Sequence, residues 1–218
     1  MRYVHYYCID LLEGEMQFEK SLKHPMYQSP SLSNEKVGQW LNGLQNAQAL
    51  LNAATSLTAP SQFRAGVRMA QLAKSGAGVQ NIQKHSHLWP SIFTGIAVIA
   101  NRMTPSHRDR SGRSQWYDLL LSCGTDEESR LVLSDIDADI RYCPGDACFI
   151  SGAVLQHEVM DWKGGNRLAY AHYHRAAIAE RMGVQPGNSP FIQDFSSKMD
   201  PMFLRRHQDI YRGRSHST

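Results

Sequence analysis

"SHRDRSGRSQWYDLLLSCG" occupies residues 106–124 and joins a charged loop to an apolar run typical of a β-strand. His107 and Asp109 stand two residues apart in that loop, so a single turn presents an imidazole and a carboxylate together. An HxD pair is a weak signal on its own, because short motifs arise by chance. Its meaning depends on whether later strands supply a third metal ligand.

Short β-rich runs surround this stretch, with Gly, Pro and Asp between them. In chain order they are FTGIAVIANRM, QWYDLLLS, RLVLSD, ADIRYC, DACFIS, AVLQHEV and RLAYAHYHR. Roughly seven or eight short strands that follow two helices predict a β-barrel or a two-sheet jelly roll with helices on one side. The fold class is therefore α+β.

A third ligand for the HxD pair is available downstream. A facial triad of two imidazoles and one carboxylate binds one face of an iron ion and leaves the other face open. After His107 and Asp109, about five strand-like runs pass before His157 appears in "VLQHEV". A second HxD pair, His207 and Asp209, stands in a tail with no later strand to hold a third ligand. We therefore predict that His107, Asp109 and His157 bind the metal.

Two arginines are candidates for an anionic cosubstrate. Arg167 lies ten residues beyond His157 and opens the last strand-like run. If 2-oxoglutarate chelates the iron, its far carboxylate needs a partner, and a guanidinium offers a bidentate and permanently charged one. Arg102 lies five residues before His107 and could contact the C1 carboxylate, or it could be an ordinary surface arginine.

The residues before the strands predict two helices. Ser33 or Asn34 can cap the first helix, and Pro60 suits the first turn of the second, which ends at Gly76. The first helix places its apolar face on Val37, Trp40, Leu41, Leu44, Ala47, Leu51 and Ala54. A short helix is also predicted in "AAIAERMGV". We predict a helical region over 1–84, a catalytic core over 85–184 and a partly mobile basic extension over 185–218.

Composition sets broad limits on the function. The chain has 218 residues, 42% of them hydrophobic, which suits one well-packed domain. A net charge of +3 permits a polyanionic partner without requiring one. Four cysteines without a CxxC pattern predict reduced thiols in an intracellular protein, and "MRYVHYYCIDLLEGE" does not read as a signal peptide. Neither a membrane partner nor an oligomer is expected.

The motifs, taken together, resemble one enzyme family. "HRDRSGRSQWYDLLLS", "IRYCPGDACFISG", "LQHEV" and "DWKGGNRLAYAHYHR" resemble the iron(II)/2-oxoglutarate oxygenase domain of the TET/JBP family, in particular its basidiomycete fungal branch. The resemblance runs from about residue 93 to residue 184. It implies a double-stranded β-helix fold, Fe(II), 2-oxoglutarate and O2 as requirements, and methylated DNA as the partner. By position, His107, Asp109 and His157 would bind iron and Arg167 would bind 2-oxoglutarate.

The resemblance is incomplete at the base-reading position. Some family members carry a polar residue three positions after the motif aspartate, where this chain has Gly112. Asp118 is the best substitute, because a carboxylate can accept a hydrogen bond from the exocyclic amine of cytosine or adenine, although it could instead only order a turn. The small size of Gly112 would leave space beside the iron, although a glycine there could simply serve a loop with positive φ.

The last strand gives a further substrate candidate. Side chains alternate along a strand, so Arg175 shares a face with Arg167, and it or Tyr173 can border the substrate. His172 and His174 are then expected to face away from the cavity and to serve structural roles.

The implied reaction is hydroxylation of a methyl group on a base that has left the duplex stack. The product is 5-hydroxymethylcytosine, and further oxidised forms, from 5-methylcytosine; demethylation is the outcome for N6-methyladenine. A DNA substrate predicts a nuclear location. Two alternatives remain: a small-molecule or nucleoside hydroxylase with the same iron site, and a metal-binding or DNA-binding barrel without catalysis.

Overall fold

Twelve strands and four α-helices make up the part of the chain that the computed structural model describes. The described residues are 5–13, 26–76, 78–109, 112–160, 162 and 164–185. The helices are α1 (Glu35–Gly43), α2 (Gln45–Thr58), α3 (Pro60–Ser75) and α4 (Ala176–Arg181). The strands are β1 (His5–Asp10), β2 (Leu12–Glu13), β3 (Met26–Gln28), β4 (Val79–Gln80), β5 (Gly95–Ala100), β6 (Thr104–His107), β7 (Asp118–Gly124), β8 (Arg130–Leu133), β9 (Ala138–Arg141), β10 (Ala147–Ile150), β11 (His157–Val159) and β12 (Arg167–Tyr173).

The helix ends follow from local chemistry. The side chain of Asn34 accepts a hydrogen bond from the backbone N–H of Lys36 and so caps α1. Pro60 occupies the first turn of α3, and Gly76 ends that helix in the left-handed conformation with φ of 72°. The predicted ends at Asn34, Pro60 and Gly76 are therefore those observed.

The first predicted helix is interrupted at Leu44, which separates α1 from α2. The amide of Gln45 donates to the carbonyls of both Leu41 and Leu88, so the side chain after the break links the helix end to a distant loop. The predicted apolar face was wrong at Ala47, which is exposed. Gln48 is buried instead, because its amide contacts His172 of the sheet at 2.7 Å.

Two antiparallel sheets form the core of the fold. The larger has the strand order β1-β5-β12-β7-β10, and the smaller has the order β6-β11-β8-β9. A third, three-stranded sheet has the order β2-β3-β4. The seven predicted strand-like runs correspond to β5 and β7–β12, and "FTGIAVIANRM" contains β5. Strand β6, which begins at Thr104, lies just beyond that run and was not predicted. Strand β1, which the sequence left unassigned, pairs with β5 at the edge of the larger sheet.

Apolar side chains fill the space between the two large sheets and the space behind the larger one. Leu131, Leu133 and Val159 of the smaller sheet pack with Ile150 and Ala169 of the larger sheet. Behind the larger sheet, one cluster joins Ile9 and Ile96 to helical residues, with Leu41 and Ala73 among them. The double-stranded β-helix with flanking N-terminal helices is therefore confirmed.

Other predictions concern domain limits and membranes. The division into 1–84, 85–184 and 185–218 stays a prediction. Residues 186–218, which include the second HxD pair at His207 and Asp209, lie outside the described residues. None of the helices within the described ranges has the length and apolarity needed to cross a bilayer.

Candidate metal centre and cavity

Two paired strands bring the predicted histidine ligands together. His107 ends β6 and His157 begins β11, and these two residues are direct partners in the antiparallel register. Their ring centroids are 4.3 Å apart. Asp109 lies two residues beyond the end of β6, and its N–H donates to the carbonyl of Gly152 at 2.8 Å. Ladder pairing and one loop hydrogen bond therefore position all three side chains.

The ligand atoms of the three residues converge on one point. All of them lie within 4.8 Å of one another. The two carboxylate oxygens of Asp109 are 3.4 Å from Nε2 of His107 and 3.7 Å from Nε2 of His157. Two imidazoles and one carboxylate form the donor set that non-haem iron(II) prefers.

Backbone carbonyls orient both imidazoles. Nδ1 of His107 lies 2.8 Å from the Pro105 carbonyl, and Nδ1 of His157 lies 3.0 Å from the Leu155 carbonyl. Since a carbonyl can only accept, Nδ1 is the donor in each contact, which leaves Nε2, on the side of Asp109, as the nitrogen that could bind a metal. This is the tautomer that a metal-ligating histidine requires. The three residues thus fit a divalent metal ion.

Gly152 is a site residue that the sequence analysis missed. A Cβ at this position would overlap the carboxylates of both Asp109 and Asp118. The N–H of Gly152 donates to Oδ2 of Asp118 at 3.2 Å, while its carbonyl accepts from Asp109. Only a glycine lets the backbone approach both acids this closely. In the sequence, Gly152 closes the "ISG" at the end of β10, and this short motif does not predict contact with two acids.

Asp118 opens β7 and lies beside the metal site. Its side chain is buried, and this burial, with the negative charge of Asp109, raises its pKa to about 8. A carboxyl group with that pKa is mainly protonated at neutral pH in the metal-free protein. The predicted substrate residue Asp118 therefore lies next to the candidate metal ligands, and its burial favours the protonated carboxyl group in the metal-free protein.

A cavity of about 640 Å³ lies between the two large sheets and includes the metal site. All eight residues singled out from the sequence contribute to its lining: Arg102, His107, Asp109, Gly112, Asp118, His157, Arg167 and Arg175. Apolar walls come from both sheets, with Ala97, Ile99, Leu120, Leu131, Val159, Ala169 and Ala171 among them. A cavity of this size and character suits a small organic ligand.

Arg167 occupies the deep wall of this cavity. It is only 2% exposed, and its Nη1 donates to the carbonyl of Arg102 at 2.8 Å. Its guanidinium carbon lies 5.9 Å from the ring centres of both Tyr142 and Trp162. Burial lowers the pKa of Arg167. The aromatic rings stabilise its positive charge where water is scarce, and the sequence analysis did not identify them.

Arg175 lines the cavity but is bound to an acid that the sequence analysis did not consider. Its Nη2 donates to Oδ2 of Asp10 at 2.9 Å, and its Nε donates to Oδ1 at 3.3 Å. Asp10 lies in β1, which pairs with one edge of β5. Strand β12, which leads to Arg175, pairs with the other edge of β5.

His172 of β12 and His174, just after this strand, are both buried among other side chains. His172 contacts the Leu119 carbonyl through Nδ1 and the Gln48 amide through Nε2, on the helical side of the sheet. His174, which follows the end of β12, is buried between Phe93 and Trp116. The prediction that it faces away from the cavity was wrong, because it contributes to the cavity lining. Burial lowers their pKa values to about 4 and about 3, so both rings are neutral at pH 7.

Comparisons with known proteins agree with this geometry. Residues 17–176 match the family model Tet_JBP, described as the oxygenase domain of the 2OGFeDO superfamily. The fold is similar to that of NgTET1 in complex with 5mC DNA, with a TM-score of 0.58 and 18% identity over 80% of this chain and 62% of that chain. This chain thus spans less than two thirds of that protein.

Two weaker structural matches are described as cupins. A Cupin 2 conserved barrel domain protein from Salinispora arenicola CNS-205 has a TM-score of 0.30 and 16% identity over 41% of this chain and 69% of that chain. An RmlC-like cupin from Desulfovibrio desulfuricans has a TM-score of 0.26 and 16% identity over 36% of this chain and 70% of that chain. A search of curated protein sequences gave no match.

Proposed function

Because the chain belongs to the Tet_JBP family, the oxygenase domain of the 2OGFeDO superfamily, we propose that it oxidises methyl groups of methylated bases in DNA. The observation that carries this proposal is the His107–Asp109–His157 cluster at the wall of the same cavity as Arg167. The likeness to the fold of NgTET1, which was solved with 5mC DNA, supports the choice of substrate.

The metal and cosubstrate have defined places in this proposal. His107, Asp109 and His157 hold iron(II), Arg167 binds the far carboxylate of 2-oxoglutarate, and Arg102 binds its C1 carboxylate. Iron(II) with 2-oxoglutarate and O2 supplies the oxidising power that converts a methyl C–H bond into C–OH. Ile99 and Ala169, with the other apolar side chains of the cavity, limit the access of water to the reacting methyl group.

The substrate base must leave the duplex to reach the metal. A methyl group on carbon, as in 5-methylcytosine, gives a stable hydroxymethyl group, which the same chemistry can oxidise further. A methyl group on nitrogen, as in N6-methyladenine, gives an N-hydroxymethyl group that releases formaldehyde and leaves adenine. We keep both bases as substrates of this enzyme, and a DNA substrate is consistent with a nuclear location.

Gly112 and Asp118 are proposed to distinguish the two bases. A carboxyl oxygen of Asp118 can accept from the N4 amine of cytosine, whereas the larger purine needs the space beside Gly112. A Cβ at position 112 would lie 3.2 Å from Cβ of Ala153 and 3.4 Å from the Asp109 carbonyl, so even an alanine is crowded.

A paired assay tests this assignment. Two DNA duplexes are compared, one with 5-methylcytosine and one with N6-methyladenine, and mass spectrometry counts the product nucleosides of each. Asp118→Ala, which removes the acceptor oxygen, should impair oxidation of 5-methylcytosine more than demethylation of N6-methyladenine, and Gly112→Ala should do the reverse. Equal losses on both marks would show that base choice is made elsewhere.

The decisive experiment combines metal binding with product analysis. The protein is loaded anaerobically with iron(II) and 2-oxoglutarate, exposed to O2 with methylated DNA, and the nucleosides are measured by mass spectrometry. His157→Ala should abolish both iron binding and oxidised product, while the exposed His87→Ala should change neither. Full oxidation by His157→Ala would overturn the metal assignment.

The modest net charge of +3 favours one alternative, a hydroxylase of a methylated nucleoside or other small molecule. The same assay separates the two. Oxidation of free methylated nucleosides without oxidation of the duplex would select the small-molecule enzyme.

A further inference from the structure

Three neighbouring strands place Asp10, Gly95 and Tyr173 side by side. Asp10 of β1 pairs with Gly95 of β5, and Gly95 pairs with Tyr173 of β12. A Cβ on Gly95 would overlap both the Tyr173 ring and the Asp10 carboxylate. The absence of a side chain on the central strand thus lets the tyrosine cross that strand and reach the acid.

Asp10 receives three hydrogen bonds from the last strand and the residues just after it. The hydroxyl of Tyr173 donates to its Oδ1 at 3.0 Å, and Arg175 donates to both of its oxygens, at 3.3 and 2.9 Å. Asp10 is only 4% exposed. A buried carboxylate that accepts a bidentate pair of hydrogen bonds holds the plane of the guanidinium in one orientation.

The position of this acid indicates an indirect role. Tyr173 and Arg175 line the cavity that includes the metal cluster, but Asp10 does not. Asp10 also precedes residue 17, where the match to the family model begins. The acid therefore lies behind two side chains of the cavity wall rather than in the cavity.

We propose that Asp10 is a positioning residue that fixes the Tyr173 ring and the Arg175 guanidinium as one flat, charge-compensated wall for the flipped base. This inference rests on the proposed function. Flipped bases are held by stacking on planar side chains, and an ordered plane binds them better than a mobile one. The negative charge of Asp10 offsets the positive charge of Arg175, which suits a neutral base better than a phosphate.

The test compares Asp10→Asn with the parent protein on a methylated duplex. Loss of a charge-assisted contact should raise the KM for methylated DNA roughly tenfold, with little change in kcat. The anaerobic affinity for iron(II) and 2-oxoglutarate should not change, because the contacts described above join Asp10 to Tyr173 and Arg175, which are not proposed to bind either of them. Tyr173→Phe, which removes one of the three hydrogen bonds and keeps the ring, should give a smaller increase of KM.

Two controls separate positioning from general stability. Asp139→Asn removes another Asp–Arg pair, that with Arg130 on exposed strands of the smaller sheet, and should leave KM unchanged. If Asp10 acts through Arg175, Asp10→Asn should add little to the KM of an Arg175→Gln variant.

The outcomes distinguish this inference from the function on which it rests. If the parent oxidises DNA and Asp10→Asn keeps the parental KM, or if its defect adds fully to that of Arg175→Gln, the positioning role is wrong and the function stands. If the parent oxidises no methylated DNA, the function fails and the inference fails with it.

Discussion

At the scale of single residues, backbone carbonyls and strand pairing orient the side chains of the candidate metal cluster. His107 and His157 each contact the carbonyl of the residue two positions earlier, so the same local pattern fixes both tautomers. The two strands then bring the rings to 4.3 Å. Contacts that hold side chains in a binding geometry reduce the free energy lost to ordering them on binding.

The proposed cosubstrate contact gives a prediction at this scale. Arg167→Lys keeps the charge but loses the fork of donors and the flat contact with Tyr142 and Trp162, so affinity for 2-oxoglutarate should fall by roughly tenfold or more. Arg167→Ala should lower the affinity further. Anaerobic titration of the iron-loaded protein with 2-oxoglutarate measures both. Arg130→Lys, at an exposed ion pair, is the control. Parental affinity in both Arg167 variants would assign the carboxylate to another residue.

The sequence could predict those site residues whose chemistry is visible in their spacing. The HxD pair, the later histidine and the arginine ten residues beyond it all lie in the cavity lining. Asp10, Tyr142 and Gly152 could not be predicted, because their roles come from contacts between strands. Asp10 and Tyr173, for example, are 163 residues apart in the chain.

At the scale of secondary structure, the positions of β5 and β7–β12 followed from apolar runs, but the pairing of the strands did not. The order β1-β5-β12-β7-β10 joins strands far apart in sequence, which local patterns do not encode. Strand β1 was missed because residues 1–32 have no clear period. The break at Leu44 was missed because the predicted apolar face continues across it from Val37 to Ala54.

A matched pair of glycines tests how the helices pack. In α3, a Cβ on Gly66 would lie 2.5 Å from the Ile92 carbonyl, whereas a Cβ on Gly43 of α1 would meet nothing within 4 Å. Gly66→Ala should therefore destabilise the protein by about 1–3 kcal/mol through overpacking. Gly43→Ala should stabilise it by up to about 1 kcal/mol through helix propensity. Urea unfolding at neutral pH measures both, and equal effects would contradict the packing of α3 on this loop.

At the scale of the whole molecule, the larger sheet separates two environments. One face contributes Asp118, Arg167 and Arg175 to the cavity, and the other packs on helices. The polar contact between Gln48 and His172 joins α2 to this second face. The sequence predicted these layers because alternation along a strand and helical periodicity both indicate which side is apolar. The same alternation predicted structural roles for His172 and His174, but not that His172 contacts Gln48 of α2.

These buried histidines should make the stability of the whole protein depend on pH. His172 and His174 have pKa values lowered to about 4 and about 3 by burial, against a usual value of 6.5. Between pH 6.5 and 4 the unfolded chain therefore binds more protons at these positions than the folded protein, so stability is complete above that range and falls as the pH decreases.

His174→Phe tests this dependence, because neither ring nitrogen of His174 has a hydrogen-bond partner in the described structure. Phenylalanine keeps the contacts with Phe93 and Trp116 and cannot bind a proton. The variant should lose stability less steeply than the parent, by about 1.4 kcal/mol per pH unit between pH 6 and 4. Urea unfolding of the metal-free proteins at several pH values measures the slopes, with the exposed His87→Phe as the control that should keep the parental slope. Parallel curves for His174→Phe and the parent would mean that this histidine is already protonated in the folded state, and hence that water reaches it from the adjoining cavity.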